Sequence, residues 1–415
     1  MIQRLRIAYL MRYLPAPSET FVLDEALAIE QAGAQVFPLV LDRVPHAVRH
    51  ARHEPLYQRC EVVPRSSNIR AIVAGLAEED GGAAAWVRSN WHEHARPRDL
   101  RRAMWLARAL RRHRVDVLRV HHAAEVARFA VAAGYLAGVP VSVAVHARDL
   151  FVPVPDLTWI LSGAGLVTTI TPFHRARLLR AGLPSEKVEL LPCPVSVPDD
   201  VALAPAAGGP LRVLSVGRFV AKKGHDILLD ACAALAGDGV PLELVMVGDG
   251  PLWLEISNQA RRLAAAAPNL SVELLGAQPV EGVVEQLATG RFHAVALACR
   301  VSEDGDRDGV PVALLEAQAW GVPVLTAALP GFESELEEGE GSRLLPMGDV
   351  PGGCVELAPG RLAEALAELY RDPAERDRMA RAARARAERR IRPIELGAHL
   401  LEMLIRLSAS TVRDG

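Results

Sequence analysis

Along the 415 residues, short β-rich runs alternate with longer helix-forming segments, and this happens in two successive series. The first contains RIAYLM, SETFVLDEALAIEQAG, AQVFPLVL, VDVLRVHH, VPVSVAVHA and GLVTTIT. The second contains LRVLSVG, GHDILLDACAALAGDG, LELVMVGDGP, SVELLGA, FHAVALAC, GVPVALLEAQAWG and VPVLTA. Runs that are apolar throughout suit strands buried on both faces, which requires helices above and below a parallel sheet. The pattern therefore predicts an α/β chain of βαβ units. Residues 193–211, CPVSVPDDVALAPAAGGPL, are rich in Pro, Ala and Gly and lack periodicity, so they read as a linker. The chain is too long for one ordinary core, and two domains of about 150–200 residues follow. After Pro359 the sequence is Ala-, Arg- and Glu-rich helix to the end, interrupted at Arg392-Pro393.

Composition narrows the function. Half the residues are hydrophobic and 23% are charged, a globular balance. A formal net charge of −3 gives no reason to expect a nucleic-acid partner. The five cysteines (Cys60, Cys193, Cys232, Cys299 and Cys354) stand far apart with no metal-like spacing, which fits reduced thiols in a cytosolic protein. No run approaches the roughly 18 apolar residues of a membrane span. The opening MIQRLRIAYLMRYL carries charges inside its apolar run and reads as a first buried strand, not a signal peptide.

Several segments could carry chemistry. In GDRDGVPVALLEAQAWGVPVL, Asp308 and Glu316 bracket seven residues. Val312, Ala313, Ala319 and Trp320 share a helical face with Glu316, so the carboxylate is expected where a core residue would sit and needs a hydrogen-bonding partner. Ribose hydroxyls would serve; the bland alternative is a side chain reaching solvent. Asp308 precedes the helix and could accept from a sugar. Pro311 suits a first helical turn, whose positive end favours phosphate, and Gly309 allows close backbone approach. In SVGRFVAKKG, Gly217 ends a strand and Arg218 and Lys223 follow, a planar fork and a movable point charge able to grip a diphosphate. VMVGDGP marks a sheet edge and no more. VAVHARDLF sets His146 and Asp149 at a strand end, where a lone histidine is more often structural than catalytic. In LPAPSETF, Ser18 is expected as an N-cap, with Phe21 starting the helix.

SETF, HARD, GRFVAKKG, VGDGP and GVPVALLEAQAWGVPV occur in order and in register, and together they resemble the retaining glycosyltransferases of family four. The likeness is greatest to the colanic acid and exopolysaccharide type. It implies the GT-B fold, two Rossmann-like α/β/α lobes facing a central cleft. It also implies an acceptor-side domain over 1–195, a donor-binding domain over 205–385, and a helical segment over 386–415 packing back on the first domain. Arg218 and Lys223 match the basic pair that holds the donor diphosphate. Glu316 matches the ribose-binding second acid of the E-x7-E element, and Asp308 the first acid, which contacts the donor sugar. His146 matches a residue near the reacting sugar, and Ser18 belongs to the first loop, beside donor phosphate and acceptor. By the same resemblance the catalytic set is His146, Arg218, Lys223 and Asp308. Donor binding adds Ser18, Gly217, Gly276, Gly309, Val310, Pro311 and Glu316. The donor is a nucleotide-diphosphate sugar, the acceptor a saccharide or lipid-linked saccharide, and neither cofactor nor metal is expected. The chain departs from the family where Asp308 replaces the usual Glu and where CPVS stands at 193–196.

The rival reading from another class is a catalytically weak nucleotide-sugar-binding subunit of a transferase complex, and retention of the basic pair argues against it. Phosphorolysis or epimerisation on the same fold is a third. Residues 86–114 hold nine arginines with Trp86, Trp91 and Trp105, a composition that could seat a helix on an anionic bilayer at the inner face of the cell membrane. A solvated basic helix with its tryptophans turned to the core accounts for it equally well.

Overall fold

A computed structural model describes residues 4–64, 97–199, 201, 208–349, 355–390 and 392–411. The chain divides into two compact units, one of residues 1–192 with 393–415 and the other of 193–392.

The first unit carries strands β1 (Arg6–Leu14), β2 (Gln35–Arg43), β3 (Glu61–Val62), β4 (Val117–His121), β5 (Val141–Val145), β6 (Leu166–Thr169) and β7 (Val188–Leu190). They form one sheet in the order β3-β2-β1-β4-β5-β6-β7, every pair parallel. Helices α1 (Thr20–Gln31), α2 (Glu54–Arg59), α3 (Pro97–Arg112), α4 (Glu125–Ala137), α5 (Ala147–Phe151), α6 (Leu157–Ser162) and α7 (Pro172–Arg180) connect or flank them. Every residue of β4 and β5 is buried, as the unbroken apolar runs demand. Helix α4 ends at Gly138, whose φ of +68° is the left-handed cap that glycine adopts without strain.

The second unit repeats the plan with β8 (Leu211–Val216), β9 (Leu242–Val247), β10 (Leu270–Gly276), β11 (Ala294–Leu297), β12 (Val324–Ala327) and β13 (Ser342–Leu345). Their order is β10-β9-β8-β11-β12-β13, again parallel throughout. Helices α8 (His225–Gly237), α9 (Trp253–Ala266), α10 (Val280–Ala288), α11 (Val312–Ala319), α12 (Pro359–Arg371) and α13 (Pro373–Glu388) cover its faces. A small hairpin, β14 (Gly348–Asp349) with β15 (Val355–Glu356), follows the sheet. One apolar cluster centres on Leu228, Met246 and Leu366, and another on Leu214, Leu297 and Leu315, so the sheet is buried on both sides.

In each sheet the order reverses beside the first strand, between β1 and β4 and between β8 and β11. Open α/β sheets bind ligands outside the carboxyl ends of the strands at such switch points. The last helix, α14 (Pro393–Thr411), packs on α1 of the first unit. Gly397 makes this possible, because a Cβ there would lie 2.2 Å from the Ala28 carbonyl oxygen. The C-terminal helical region breaks at Asp372-Pro373 as well as at Pro393, because proline begins a helix more readily than it continues one.

The basic stretch lies only partly within the described residues; Trp86 and Trp91 fall outside them. Its described part is α3, which turns Ala103, Met104, Leu106, Ala107 and Leu110 into the core and lays Trp105 against it. Arg102 pairs with Glu125, Arg112 with Glu61, and Arg111 donates to the Leu136 carbonyl. Much of the apolar face and charge that suggested a bilayer contact is thus spent within the unit. Among the described residues, no helix is long and apolar enough to cross a membrane.

Candidate active site

In the second unit the site is a loop held against two others. Gly217 follows β8 and donates its N–H to the Val247 carbonyl. Gly248 has φ +148°, and a Cβ on it would lie 1.9 Å from the Gly217 carbonyl oxygen. The Phe219 N–H donates to Asp249 O and the Leu252 N–H to Phe219 O, so the Gly-Asp-Gly turn is bolted to the basic loop. On the other side, Gly224 has φ +62° and a Cβ there would lie 1.9 Å from the Ala298 carbonyl oxygen. Arg300 then braces the loop: its N–H donates to Lys222 O, its Nε to Ala221 O, and its Nη1 to Asp226 and Glu356.

This scaffold brings Lys223 and Asp308 together, with Nζ 2.9 Å from Oδ2. Lys222 lies 3.6 Å from the other Asp308 oxygen and 3.2 Å from Asp306, and the Cys299 thiol points at Asp308 Oδ2 from 3.7 Å. Burial pulls Lys223 down, but the Asp308 carboxylate outweighs it and holds the ammonium above its ordinary range. Burial pushes Asp308 up, and Lys223 reverses that, so the carboxylate stays ionised. The Lys223 stem lies over Gly217, where a Cβ would touch its Cδ and Cε at 3.4 Å. Arg218 is exposed, and its carbonyl accepts from His225 Nε2 at 3.2 Å. Burial lowers His225 to about 4, which keeps the ring neutral beneath the loop.

Gly309, Val310 and Pro311 are buried and lead into α11, with Pro311 at the N-cap one position before the first helical turn. Glu316 is half-buried, as are Val312, Ala313 and Trp320. The helix buries Leu314, Leu315, Ala317, Gln318 and Ala319 instead, so the face carrying Glu316 is less enclosed than the sequence pattern predicts. The buried polar residue of α11 is Gln318, which donates to Ser342 Oγ at 2.8 Å. Gly276 closes β10 with φ +68° and accepts from Gly248 N–H at 2.9 Å. It stands two strands from the basic loop, on the same sheet edge.

In the first unit Ser18 is exposed and does not cap α1. The helix begins at Thr20 with Glu19 at the N-cap position and no side-chain cap. A backbone turn from Ala16 O to the Glu19 N–H carries the chain one residue further before it coils. His146 follows β5 and caps α5 in a capping box with Asp149, whose carboxylate accepts the His146 N–H at 2.9 Å. Its ring sits 5.0 Å from Phe21 and 4.6 Å from His122, centroid to centroid.

Beneath it lies a group that the sequence reading missed. Glu25 on α1 accepts from Tyr9 Oη at 2.9 Å and from both ends of the Arg119 fork, at 3.0 and 2.9 Å. His121 Nε2 lies 3.1 Å from the same carboxylate, and His121 Nδ1 lies 3.2 Å from His146 Nε2. Arg119 is fully buried and donates a further bond to Ser142 Oγ at 2.8 Å. The signal was an arginine in the middle of VLRVH, a strand otherwise fit for a core. His122, at φ +68°, holds a backbone conformation uncommon outside glycine, which marks strain at the end of β4.

Two family models match the chain. "Glycosyltransferase Family 4" matches residues 19–197 and "Glycosyl transferases group 1" matches residues 203–386. WcaL of Salmonella typhimurium, assigned to colanic acid biosynthesis as a glycosyltransferase, is 25% identical over 374 residues, covering 85% of this chain and 90% of its own. The amylovoran biosynthesis glycosyltransferase AmsK of Erwinia amylovora is 29% identical over 246 residues, 59% of this chain and 56% of its own. Among solved structures, Anabaena HepE in complex with UDP and glucose superposes with a TM-score of 0.68 at 17% identity, covering 97% of this chain and 100% of HepE.

Proposed function

Because the chain belongs to the glycosyltransferases of the GT-B fold, we propose that it moves a sugar from a nucleotide-diphosphate donor to a saccharide or lipid-linked acceptor in exopolysaccharide synthesis, with retention of configuration and without a metal. The single observation that carries this is the Lys223–Asp308 pair, flanked by Lys222, at the carboxyl edge of the second sheet where its strand order reverses. UDP and glucose in the HepE structure and the exopolysaccharide roles of WcaL and AmsK support the donor and product classes.

Breaking the anomeric bond leaves positive charge on the sugar and adds negative charge to the departing diphosphate. Lys223 and Arg218 would meet that charge, and Asp308, yielding Lys223 to the phosphate, would turn to a sugar hydroxyl. Preorganised donors of this sort are each worth roughly 2.7–4 kcal/mol where they have been removed from other enzymes. The Asp308 carboxylate is held by Lys223 and Lys222, so attack by the acceptor on the face the leaving group departs, with a phosphate oxygen taking its proton, is the step proposed.

The test is a screen of UDP-, GDP- and dTDP-sugars for thermal stabilisation, followed by product formation from the labelled donor that stabilises most. Anomeric NMR of the product reads retention, and assay with and without chelator reads metal dependence. Tight donor binding with no turnover on any lipid or sugar acceptor would defeat the transferase reading and leave the binding-subunit alternative, which no observation favours at present.

A further inference from the structure

We infer that Glu25, Arg119 and His121 form a positioning chain that fixes the proton of His146 on Nε2 and holds its ring neutral and immobile. This rests on the transferase reading above, in which the family resemblance gives His146 a place near the reacting sugar. Glu25 is 6% exposed and ionised, because the Arg119 guanidinium beside it overcomes the burial that would otherwise raise it. An ionised carboxylate only accepts, so His121 Nε2 must carry its proton toward Glu25. Neutral His121 then offers Nδ1 as an acceptor, and the hydrogen facing it can come only from Nε2 of His146. The other ring nitrogen of His146 is then left as an acceptor at the start of α5, where the Asp149 N–H donates to the His146 carbonyl. The proton order is consistent from one end to the other.

Stability alone does not account for this arrangement. A buried ion pair is often no better than apolar side chains of the same volume. Arg119 and Glu25 would also satisfy each other without His121. The chain instead ends on the one histidine that the family resemblance places beside the reacting sugar. Nε2 of His146 is then engaged within the first unit, so through that nitrogen His146 is a platform and not a proton carrier. The charged and titratable groups around it are Tyr9 on β1, Glu19 and Glu25 at α1, Arg119 and His121 on β4, His122 just after it, and Arg148 and Asp149 on α5. Burial lowers both His121 and His146, and for His146 the neighbouring histidines push the same way.

Nitrogen NMR of the full-length protein labelled at histidine reads this directly. His121 and His146 should both be neutral Nε2–H tautomers at about pH 8, and each should take up a proton only below the range in which a free imidazole titrates. Protonation of His146 near its ordinary value, or an Nδ1–H tautomer, overturns the inference. His121→Phe removes the acceptor and should release the tautomer of His146, lowering kcat by up to about 10²-fold, the scale of a small misplacement, with the donor KM changed much less. His121→Gln keeps one donor and one acceptor and should recover much of that loss, which guards against a variant that merely misfolds. An unchanged His146 tautomer and kcat in His121→Phe would also overturn it. If no nucleotide sugar is turned over by the unaltered protein, the proposed function fails while the NMR result still decides the proton order.

Discussion

Lys223 and Asp308, far apart in the chain, meet at 2.9 Å, and the pair is nearly closed to solvent, its side chains 14% and 12% exposed. The Lys223 ammonium is thus neutralised by the acid proposed to read the sugar. A diphosphate entering here would take over the ammonium.

Lys223→Ala tests that directly. Turnover is expected to fall by about 10²–10³-fold, the usual loss when one preorganised donor to developing charge is removed. Lys222 remains near Asp308, so calorimetry should show Tm moving by only a few degrees, roughly the scale of 1 kcal/mol in a chain of this size. Wild-type activity in this variant would remove the assignment of the site.

Asp308→Asn separates nucleotide from sugar. Losing the carboxylate frees Lys223, so the nucleoside diphosphate that stabilises the unaltered protein should bind as tightly or a few-fold more tightly by calorimetry. Transfer should drop by at least about tenfold, since a charged acceptor to a hydroxyl is worth roughly 1.5–3 kcal/mol. Parallel loss of nucleotide binding and transfer would show that Asp308 supports the loop and does not read the sugar.

Gly224→Ala sets steric demand against chain entropy. Its φ of +62° and the Ala298 carbonyl 1.9 Å from a new Cβ predict a loss of about 3 kcal/mol or more in urea unfolding. Gly237→Ala, at the end of α8 with no atom within 4 Å of a new Cβ, should instead gain about 0.5–1 kcal/mol. Similar values for the two would contradict the close approach at Ala298.

Acid should weaken the fold through buried neutral histidines. Burial lowers His225 and His293 to about 4, while the unfolded chain takes up protons at about 6.5. The unfolded state therefore binds more protons between these values. The stability is complete above about pH 6.5 and is lost as pH falls toward 4, by roughly 3 kcal/mol for His225 alone. Glu25, held low, adds a further loss only below about pH 4.3. Urea midpoints from pH 8 to 4 should show this slope, reduced in His225→Gln; an unaltered slope would place the proton uptake elsewhere.

The α/β alternation was legible because an unbroken apolar strand admits only a two-sided burial, and the two sheets follow from it. Arg218, Lys223 and Asp308 were legible as charges beside strand ends. The cap at Ser18 was misread because a backbone turn from Ala16 to Glu19 satisfies the chain there without a side chain. The face of Glu316 was misread because an eight-residue helix of small and apolar residues has no distinct polar side to orient it.

Sequence by itself determined the local physics: which segments are strands, which are helical, and which loops carry charge beside a glycine. Only the tertiary structure decided which of those charges neutralise one another. Glu25, Arg119, His121 and His146 lie on three separate segments, α1, β4 and the end of β5, and no spacing along the chain records their meeting. Strand order brings them together, because β4 lies between β1 and β5 in the sheet while α1 follows β1 in the chain.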